Sequence, residues 1–523
     1  MRARTHVRPF ALLVLLVPFV PALAATIIAC ADDAPATGDD ADAAVASADA
    51  TAADRRVPGV DAEVERDSSA LKDAGVDASI KDAGKDANDG AVVDAGPTTS
   101  LLFFGDFAVN NTSQLGNALL PSSSAAPVVI TDGVRTAKQV LAFDALADGS
   151  KIVVAADLLV TNQFDIVVAN RNGTGAVVIA TMSATAKPTE IVISPDGTKV
   201  AYIADSATAG ASDAYWVPIA GGAAPVRVNP RAAADVALDA QSIAWSRDSK
   251  YLAASGDFTV DKKNELYTFD TSDAAAVPAA ALAAAALPAP AGTSTVGIST
   301  ALRPLWTATA GGKVCAKADL TGVVPATFRL YCADATGAGF AEPTRFPTLP
   351  AQLGSYGLSP DGATIAFSAD SMVSGAYEVY TMLADDSADP KRITAGAITV
   401  ASATAFRGPS FSLPLLFSPD ATKIAFAADI LVDNRNELYV VAADGATPEK
   451  RVTVVGPAGD DARDVQRLAW APDSLALAFI ADHRADNDSE VFRVANVTAA
   501  DQAPILVRGV APSGDVFELS WRP

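Results

Sequence analysis

Histidine is almost missing from this chain, which has only two in 523 residues, His6 and His483. A Ser–His–Asp triad would depend on His483 alone, and the sequence contains no G-x-S-x-G nucleophile motif. A metal site built on several histidines is excluded for the same reason. We interpret His483, which follows a strand-like run, as a solvated loop residue. The composition therefore favours a protein that is not an enzyme.

Positive charge is also in short supply. Lys and Arg total 39 against 61 Asp and Glu, which gives a formal net charge of −22. Such a chain is repelled by nucleic acids and by anionic membrane surfaces, so neither is expected as an electrostatic partner. Long apolar runs are lacking as well, because the one at residues 10–20 is too short to span a membrane comfortably.

The N-terminus has the pattern of an export signal over residues 1–29. Three arginines precede the short apolar run, and the sequence Ile-Ile-Ala-Cys ends at Cys30. These four residues resemble the bacterial lipobox, which implies lipidation of Cys30 and a location in the cell envelope. Ala31 favours the outer membrane, with the protein facing the periplasm or the cell surface. Ordinary cleavage after Ala24 is the alternative and would leave Cys30 as a spare thiol.

Residues 30–99 are rich in Ala and Asp and contain few aromatic or long aliphatic side chains. Such a segment cannot bury enough apolar surface to offset the entropy of ordering. The sequence predicts a disordered tether, whose root-mean-square span as a flexible coil is about 45 Å. It would hold a folded domain, residues 100–523, away from the membrane.

The folded part repeats one unit about every 50 residues. In the clearest copy, a short apolar run is followed by the turn Ser418-Pro419-Asp420, a second run that ends at Asp429, and a third run that begins Glu437-Leu438-Tyr439. Pro and Asp favour a tight turn for definite physical reasons. The aspartate that ends the second run recurs eight times, at Asp106, Asp157, Asp205, Asp257, Asp319, Asp370, Asp429 and Asp482. A period of this length is typical of four-stranded propeller blades.

The two ends of the chain predict how the ring closes. The first copy, from Ser100, lacks a first run and its turn, whereas the chain ends with a first run around Trp521. The C-terminal strand should therefore complete the N-terminal blade, which leaves only short, protected sheet edges. The fold class is thus predicted as an all-β propeller of eight four-stranded blades; seven blades, with residues 100–139 as a cap, are the alternative.

The unit W-S-P-D-G-x-x-I-A-F-x-x-D, followed by E-L-Y, resembles the WD-repeat-like propeller repeat of TolB-type periplasmic proteins. It is also similar to the propellers of prolyl-oligopeptidase and dipeptidyl-peptidase relatives. This resemblance implies a propeller fold from about residue 100 onwards. The α/β domain of TolB has no counterpart here, and no hydrolase domain fits in the remaining residues.

Two cysteines lie in the folded part, Cys315 and Cys332. Aligned on the repeat, they fall on the second and third strands of one blade, where facing Cα atoms are close enough for a disulfide. An exported protein permits one. Two buried thiols in non-facing register are the alternative.

One acidic loop is a candidate calcium site, since Asp482, Asp486, Asp488 and Glu490 concentrate oxygen ligands. The loop lacks the EF-hand glycine. The other interpretation is structural: an aspartate found at the same point of every repeat accepts backbone N–H bonds and holds a turn. No cofactor is otherwise expected.

The longest and most variable loops are expected on one face of the ring, at 107–114, 206–213, 273–300, 320–328, 397–413 and 454–465. Binding residues concentrate on such loops. The favoured function is a lipid-anchored, monomeric, non-enzymatic scaffold that binds an envelope protein or a peptidoglycan-associated assembly. The alternatives are a sugar- or peptide-binding receptor at the channel mouth, and a propeller-based hydrolase or lyase.

Overall fold

A computed structural model describes most of the chain beyond residue 98. The described residues are 99–109, 112–120, 128–129, 139–157, 163–183, 186–205, 211–230, 238–273, 277–288, 295–299, 301–308, 312–322, 326–346, 352–373, 376–394, 413–430, 436–453, 464–483, 488–508 and 515–522. The predicted signal, Cys30, the tether up to residue 98 and Asp486 lie outside these ranges.

The described residues form strands and one short 3-10 turn, Ala284–Ala286. The first half contains β1 (Thr99–Val109), β2 (Thr112–Leu120), β3 (Val128–Val129), β4 (Val140–Ala145), β5 (Lys151–Ala156), β6 (Asp165–Asn170), β7 (Val177–Ala180), β8 (Glu190–Ile193), β9 (Lys199–Asp205), β10 (Ser212–Pro218), β11 (Val226–Arg227), β12 (Ala240–Trp245), β13 (Tyr251–Gly256), β14 (Lys263–Asp270) and β15 (Ala279–Leu282). The second half contains β16 (Val296–Ile298), β17 (Leu305–Trp306), β18 (Lys313–Asp319), β19 (Arg329–Asp334), β20 (Leu353–Leu358), β21 (Thr364–Val373), β22 (Ala376–Leu383), β23 (Lys391–Arg392), β24 (Leu416–Phe417), β25 (Lys423–Ala428), β26 (Glu437–Ala442), β27 (Lys450–Thr453), β28 (Val465–Trp470), β29 (Leu477–Ala481), β30 (Glu490–Val494), β31 (Ile505–Arg508) and β32 (Val516–Arg522).

Each sequence repeat folds as an antiparallel meander. We number the repeats 1 to 8: repeat 1 holds β1–β3, repeat 2 holds β4–β7, repeat 3 holds β8–β11, repeat 4 holds β12–β15, repeat 5 holds β16–β19, repeat 6 holds β20–β23, repeat 7 holds β24–β27 and repeat 8 holds β28–β31. In the described part of the chain, six sheets have four strands and one sheet has eight. This architecture confirms the predicted all-β propeller.

The C-terminal strand completes repeat 1, as predicted. The order of its sheet is β3-β2-β1-β32, and Leu101 faces Trp521 across the antiparallel pair β1–β32. The indole N–H of Trp521 donates a hydrogen bond to Thr99 Oγ1 at 2.9 Å. The last strand of the chain is therefore the first strand of the first sheet.

The Ser-Pro-Asp turn has a hydrogen-bonding reason to recur. The hydroxyl of Ser194 donates to Asp196 Oδ1 at 2.6 Å and accepts from the backbone N–H of Lys199 at 2.9 Å. Gly197 follows with a φ of 70°, a conformation that favours glycine. The backbone N–H of Asp196 donates to Ser249 Oγ of the next repeat at 3.0 Å, so the turn also joins neighbouring repeats.

The aspartate that ends the second strand has the structural role that we weighed against calcium binding. Its carboxylate accepts the backbone N–H of a residue 18 positions earlier, just before the first strand. The four pairs are Gln139–Asp157 at 2.8 Å, Asp239–Asp257 at 2.8 Å, Gln352–Asp370 at 2.5 Å and Asp464–Asp482 at 2.7 Å. The residue thus ties the start of one strand to the end of its neighbour.

The E-L-Y motif follows from the two-residue period of a strand. Glu437 and Tyr439 lie on the same face of β26, and the Tyr439 hydroxyl donates to Glu437 Oε2 at 3.4 Å. Arg451, from the adjacent β27, contacts the same carboxylate at 3.0 Å. Glu437 is fully buried, so these donors satisfy a charge that would otherwise be costly.

The hydrophobic core is divided among the interfaces between repeats. In the described residues, eight apolar clusters each join two consecutive repeats, and one of them joins repeat 8 to repeat 1 through Ile480, Leu101 and Trp521. Tryptophans at the ends of first strands add hydrogen bonds to the preceding repeat, as Trp470 Nε1 does to Leu416 O at 2.9 Å. Apolar packing thus continues around the whole ring.

Repeat 5 departs from the pattern. Its first strand is split into β16 and β17, and β16 pairs in parallel with β14 of repeat 4 through Lys263 and Val296. The two repeats share one eight-stranded sheet as a result. The count of eight blades therefore stays a prediction, since two of the eight repeats are not separate sheets.

The structure corrects one predicted loop. Residues 107–114 were expected as a long, variable connection, but β1 continues to Val109 and β2 resumes at Thr112, with Val109 facing Thr112. Because Val109 pairs with Thr112, the connection between the two strands is a narrow hairpin.

Closure predicts a specific loss of stability. Trp521→Ala removes a nearly buried ring from the cluster between repeats 8 and 1 and should destabilise the protein by about 3–5 kcal/mol. Urea denaturation followed by tryptophan fluorescence or circular dichroism measures the change. Val177→Ala, on an exposed outer strand, is the matched control and should change stability little. Equal stability of the Trp521 variant and the native protein would contradict closure as a source of stability.

Candidate functional site

The first strands of the repeats line the centre of the ring. Each occupies one margin of its sheet, and contacts join β4 to β8, β8 to β12, β12 to β17, β20 to β24, β28 to β32 and β32 to β4. Fourth strands lie at the opposite, outer margin. Side chains that project from the inner margin of these sheets therefore converge on the axis of the ring.

One position of the inner strand carries unusual chemistry. It lies three residues before the last aromatic or apolar residue of the strand, or six before the turn aspartate. In repeats 2 to 8 and then in β32, this position holds Ala142, Glu190, Ser242, Arg303, Ser355, Pro414, Arg467 and Glu518. Half of the copies are small or proline, whereas the other half are two acids and two arginines.

Arg303 reaches past a neighbouring repeat. It lies in the break between β16 and β17, and it forms an ion pair with Glu190 of repeat 3. Because repeat 4 separates the two residues, the guanidinium links repeats that are not consecutive. The buried hydroxyl of Tyr356 donates to Arg303 O at 2.9 Å and anchors the backbone of the break.

The carboxylates of Asp144 and Glu190 are also held by backbone donors. Asp144 accepts from the N–H of Ala145 at 2.7 Å and from Ile193 of the next repeat at 2.8 Å. The second oxygen of Glu190 accepts from the N–H of Ile243 at 3.2 Å. Each acid therefore joins its own inner strand to the following one.

The charges of this axial cluster, defined as Asp144, Glu190, Arg303, Arg467 and Glu518, act on one another. Burial raises the pKa of both Glu190 and Glu518, although Arg303 opposes the rise in each. Burial alone would lower the pKa of Arg303, but the carboxylates of Glu190, Glu518 and Asp144 raise it overall. Three acids and two bases thus interact electrostatically in a partly desolvated region at the centre of the ring.

A buried lysine lies next to the axis. Lys317 of β18 is 5% exposed, and its ammonium donates to Gly354 O of the next inner strand at 2.6 Å. The ammonium also lies 4.8 Å from the centre of the Phe328 ring. Burial lowers the pKa of Lys317 to about 8. The amine is therefore far closer to neutrality at physiological pH than an ordinary lysine.

The two predicted disulfide partners are joined in the structure. Cys315 of β18 faces Cys332 of β19 in the antiparallel register, and the sulfur atoms are 2.02 Å apart. The two cysteines are 17 positions apart in the sequence. It lies between two strands and not at the axial cluster.

The structure describes only part of the acidic loop. Asp482 accepts from Asp464 N, as described above, while Asp486 lies outside the described residues. The described residues contain no group of three or more His, Cys, Asp or Glu side chains that could hold a metal ion. The calcium hypothesis for this loop stays a prediction. His483 packs edge-on against Phe492, with ring centres 5.3 Å apart.

Most of the predicted binding face falls outside the described ranges, including 206–210, 395–412 and 454–463. The structure instead brings together an axial cluster that sequence reasoning missed. The signal was present, because aligning the repeats on their turns places Glu190, Arg303 and Arg467 at one position.

Comparison with known proteins gives only distant similarities. No family model matches the chain, and no curated protein matches it. An oligogalacturonate lyase solved with manganese is 14% identical, with a TM-score of 0.45, and the match covers 76% of this chain and 96% of the lyase. A prolyl endopeptidase is also 14% identical, with a TM-score of 0.44 and coverage of 74% and 55%. TolB from Acinetobacter baumannii is 13% identical, with a TM-score of 0.34 and coverage of 74% and 82%.

These comparisons correct one prediction. The chain was predicted not to be an enzyme, and that prediction is wrong, since a lyase and an endopeptidase are among the similar structures. The physical reason is that the prediction rested on the scarcity of histidine. Carboxyl groups and lysines also transfer protons, so a scarcity of histidine does not exclude catalysis. Among the described residues, no helix is both long and apolar enough to cross a membrane.

Lys317 generates a pH-dependent prediction. Its pKa falls from 10.5 to about 8 on folding, so the folded protein binds fewer protons than the unfolded chain between these values. Stability should therefore rise with pH across this window, and the full cost of the buried charge, roughly 3 kcal/mol, applies below pH 8. Lys317→Met should be more stable than the native protein at pH 7, by an amount that shrinks towards pH 10.

Urea denaturation at pH 7, 8.5 and 10 tests this expectation. Lys313→Met, on the same strand but only partly buried, is the control and should show no such trend. A stability difference between the Lys317 variant and the native protein that is independent of pH would contradict the assignment.

Proposed function

We propose that the chain is a cell-envelope propeller that binds a peptide segment of a partner at its axis. The partner would be an envelope protein or a peptidoglycan-associated assembly, so that the propeller acts as a protein-interaction scaffold. The observation that carries the proposal is the axial cluster, in which Arg303 of repeat 5 pairs with Glu190 of repeat 3.

The chemistry of the cluster favours a peptide. Charged groups removed from water need partners of opposite charge or hydrogen bonds. A peptide supplies both, through its backbone amides and charged ends, whereas a neutral sugar has no charged group to pair with Glu518 or Arg467. Nucleic acid is disfavoured by the excess of acidic residues.

The envelope location is part of the same proposal. The signal pattern over residues 1–29 and the lipobox-like sequence at Cys30 support export and a lipid anchor, most simply in the outer membrane. The Cys315–Cys332 disulfide agrees with an oxidising compartment. The segment at 30–99 would let the propeller extend away from the membrane. The folded part would act as a monomer.

Site-specific photocrosslinking in the native envelope tests the proposal. A crosslinking residue is placed at Ser520, which is two residues from Glu518 on the same face of β32 and partly exposed. A second position, Val177 on the outer strand β7, is the control. Mass spectrometry then identifies captured partners. We expect a reproducible partner from Ser520 and none from Val177.

The double variant Glu190→Gln/Arg303→Met should reduce capture from Ser520 by about tenfold, which corresponds to ~1.4 kcal/mol of binding free energy. Thermal melting confirms that the variant is folded. Capture that is unchanged in this variant, or that comes only from Val177, would place the interaction away from the axis and refute the proposal.

A further inference from the structure

Arg467 and Glu518 are neighbours that do not pair. They occupy the equivalent position on β28 and β32, two inner strands that contact each other. Arg467 lowers the pKa of Glu518, so the two charges interact through space. Within the described part of the chain, however, they form no salt bridge with each other, and Arg467 Nη1 donates instead to Gln466 O at 2.8 Å.

Glu518 also differs from the other two acids of the axial cluster. Asp144 accepts two backbone N–H bonds, and Glu190 has both Arg303 and the N–H of Ile243. Among the described residues, Glu518 accepts no hydrogen bond, although burial is the largest influence on its pKa and raises it. A partly desolvated carboxyl without a donor is costly by itself and gains most from a ligand that supplies one.

Arg467 is open to a ligand as well. Its side chain is exposed, whereas Arg303 is already engaged with Glu190. A guanidinium binds a carboxylate through two parallel hydrogen bonds, which gives both strength and orientation. Two unlike charges thus lie on adjacent inner strands, one able to bind an anion and the other a cation.

We propose that Arg467 and Glu518 form a subsite for a free amino-acid head group, in which an ammonium and a carboxylate are attached to one carbon. The ligand carboxylate binds the Arg467 guanidinium, and the ligand ammonium binds the Glu518 carboxylate. This inference rests on the proposed peptide-binding function and narrows it to a peptide whose end residue is joined through its side chain, because only such a residue keeps both an ammonium and a carboxylate on one carbon. It also requires ionised Glu518, so binding should weaken as pH falls through the titration of that carboxyl.

Calorimetric titration of the purified chain with matched small probes tests the subsite. Nε-acetyl-lysine keeps the complete head group. Its Nα-acetylated form lacks the ammonium, and its C-terminal amide lacks the carboxylate. We expect the intact head group to bind at least tenfold more tightly than either blocked form.

Two variants assign each half of the head group to a residue. Glu518→Gln should remove the preference for a free ammonium, and Arg467→Gln should remove the preference for a free carboxylate. Lys151→Gln, an exposed charge change on the second strand of repeat 2, should leave the affinities unchanged. If Glu518→Gln does not fold, the pH dependence of binding to the native protein provides the same readout.

The outcomes separate this subsite from the wider function. Blocked probes that bind as tightly as the intact head group would overturn the subsite, even if peptides still bind at the axis. The subsite also fails if no probe binds while Ser520 captures a partner, and in that case the proposed function stands. If no probe binds and no partner is captured, both proposals fail.

Discussion

The pairing of β32 with β1 is the interaction on which the rest of the structure depends. It joins residues more than four hundred positions apart, as the bond from Trp521 to Thr99 shows. Forming such a contact costs chain entropy. Burial of the apolar interface between the last and first repeats offsets this cost. Glu518 lies on the same strand, so the pairing that closes the ring also places Glu518 in the axial cluster.

Polar residues in this protein fall into two groups that serve different ends. The strand-end aspartates, the turn serines and the E-L-Y carboxylates recur from repeat to repeat, and each satisfies backbone or side-chain donors within its own sheet or the next. The axial charges do not recur, since the same position is Ala142 in one repeat and Arg303 in another. Regular polar groups stabilise the repeat, whereas irregular ones at a shared position distinguish one side of the ring from the other.

The break in repeat 5 shows how an irregular sequence creates such a difference. Pro304 cannot donate to a sheet ladder and restricts the residue before it, so Leu305 and Trp306 form a separate short strand. Arg303 lies outside both short strands and reaches Glu190 of repeat 3. The next strand, β18, holds the buried Lys317 at the position of Ser255 in repeat 4, so repeat 5 brings two cations close to the centre.

The sequence by itself determined the repeat, its turns, the strand order within each repeat and the closure by the C-terminal strand. These features are local or periodic: Pro and Asp set the turns, and a two-residue alternation sets the buried faces. Whether the strand-end aspartates bind metal or backbone could be weighed from their regularity alone. Tertiary structure decided the rest, including the merging of repeats 4 and 5 and the meeting of Arg303 with Glu190. The repeat spacing in the sequence locates each inner strand. It does not tell which residues of different repeats contact each other, because their separation depends on how all the repeats pack around the ring.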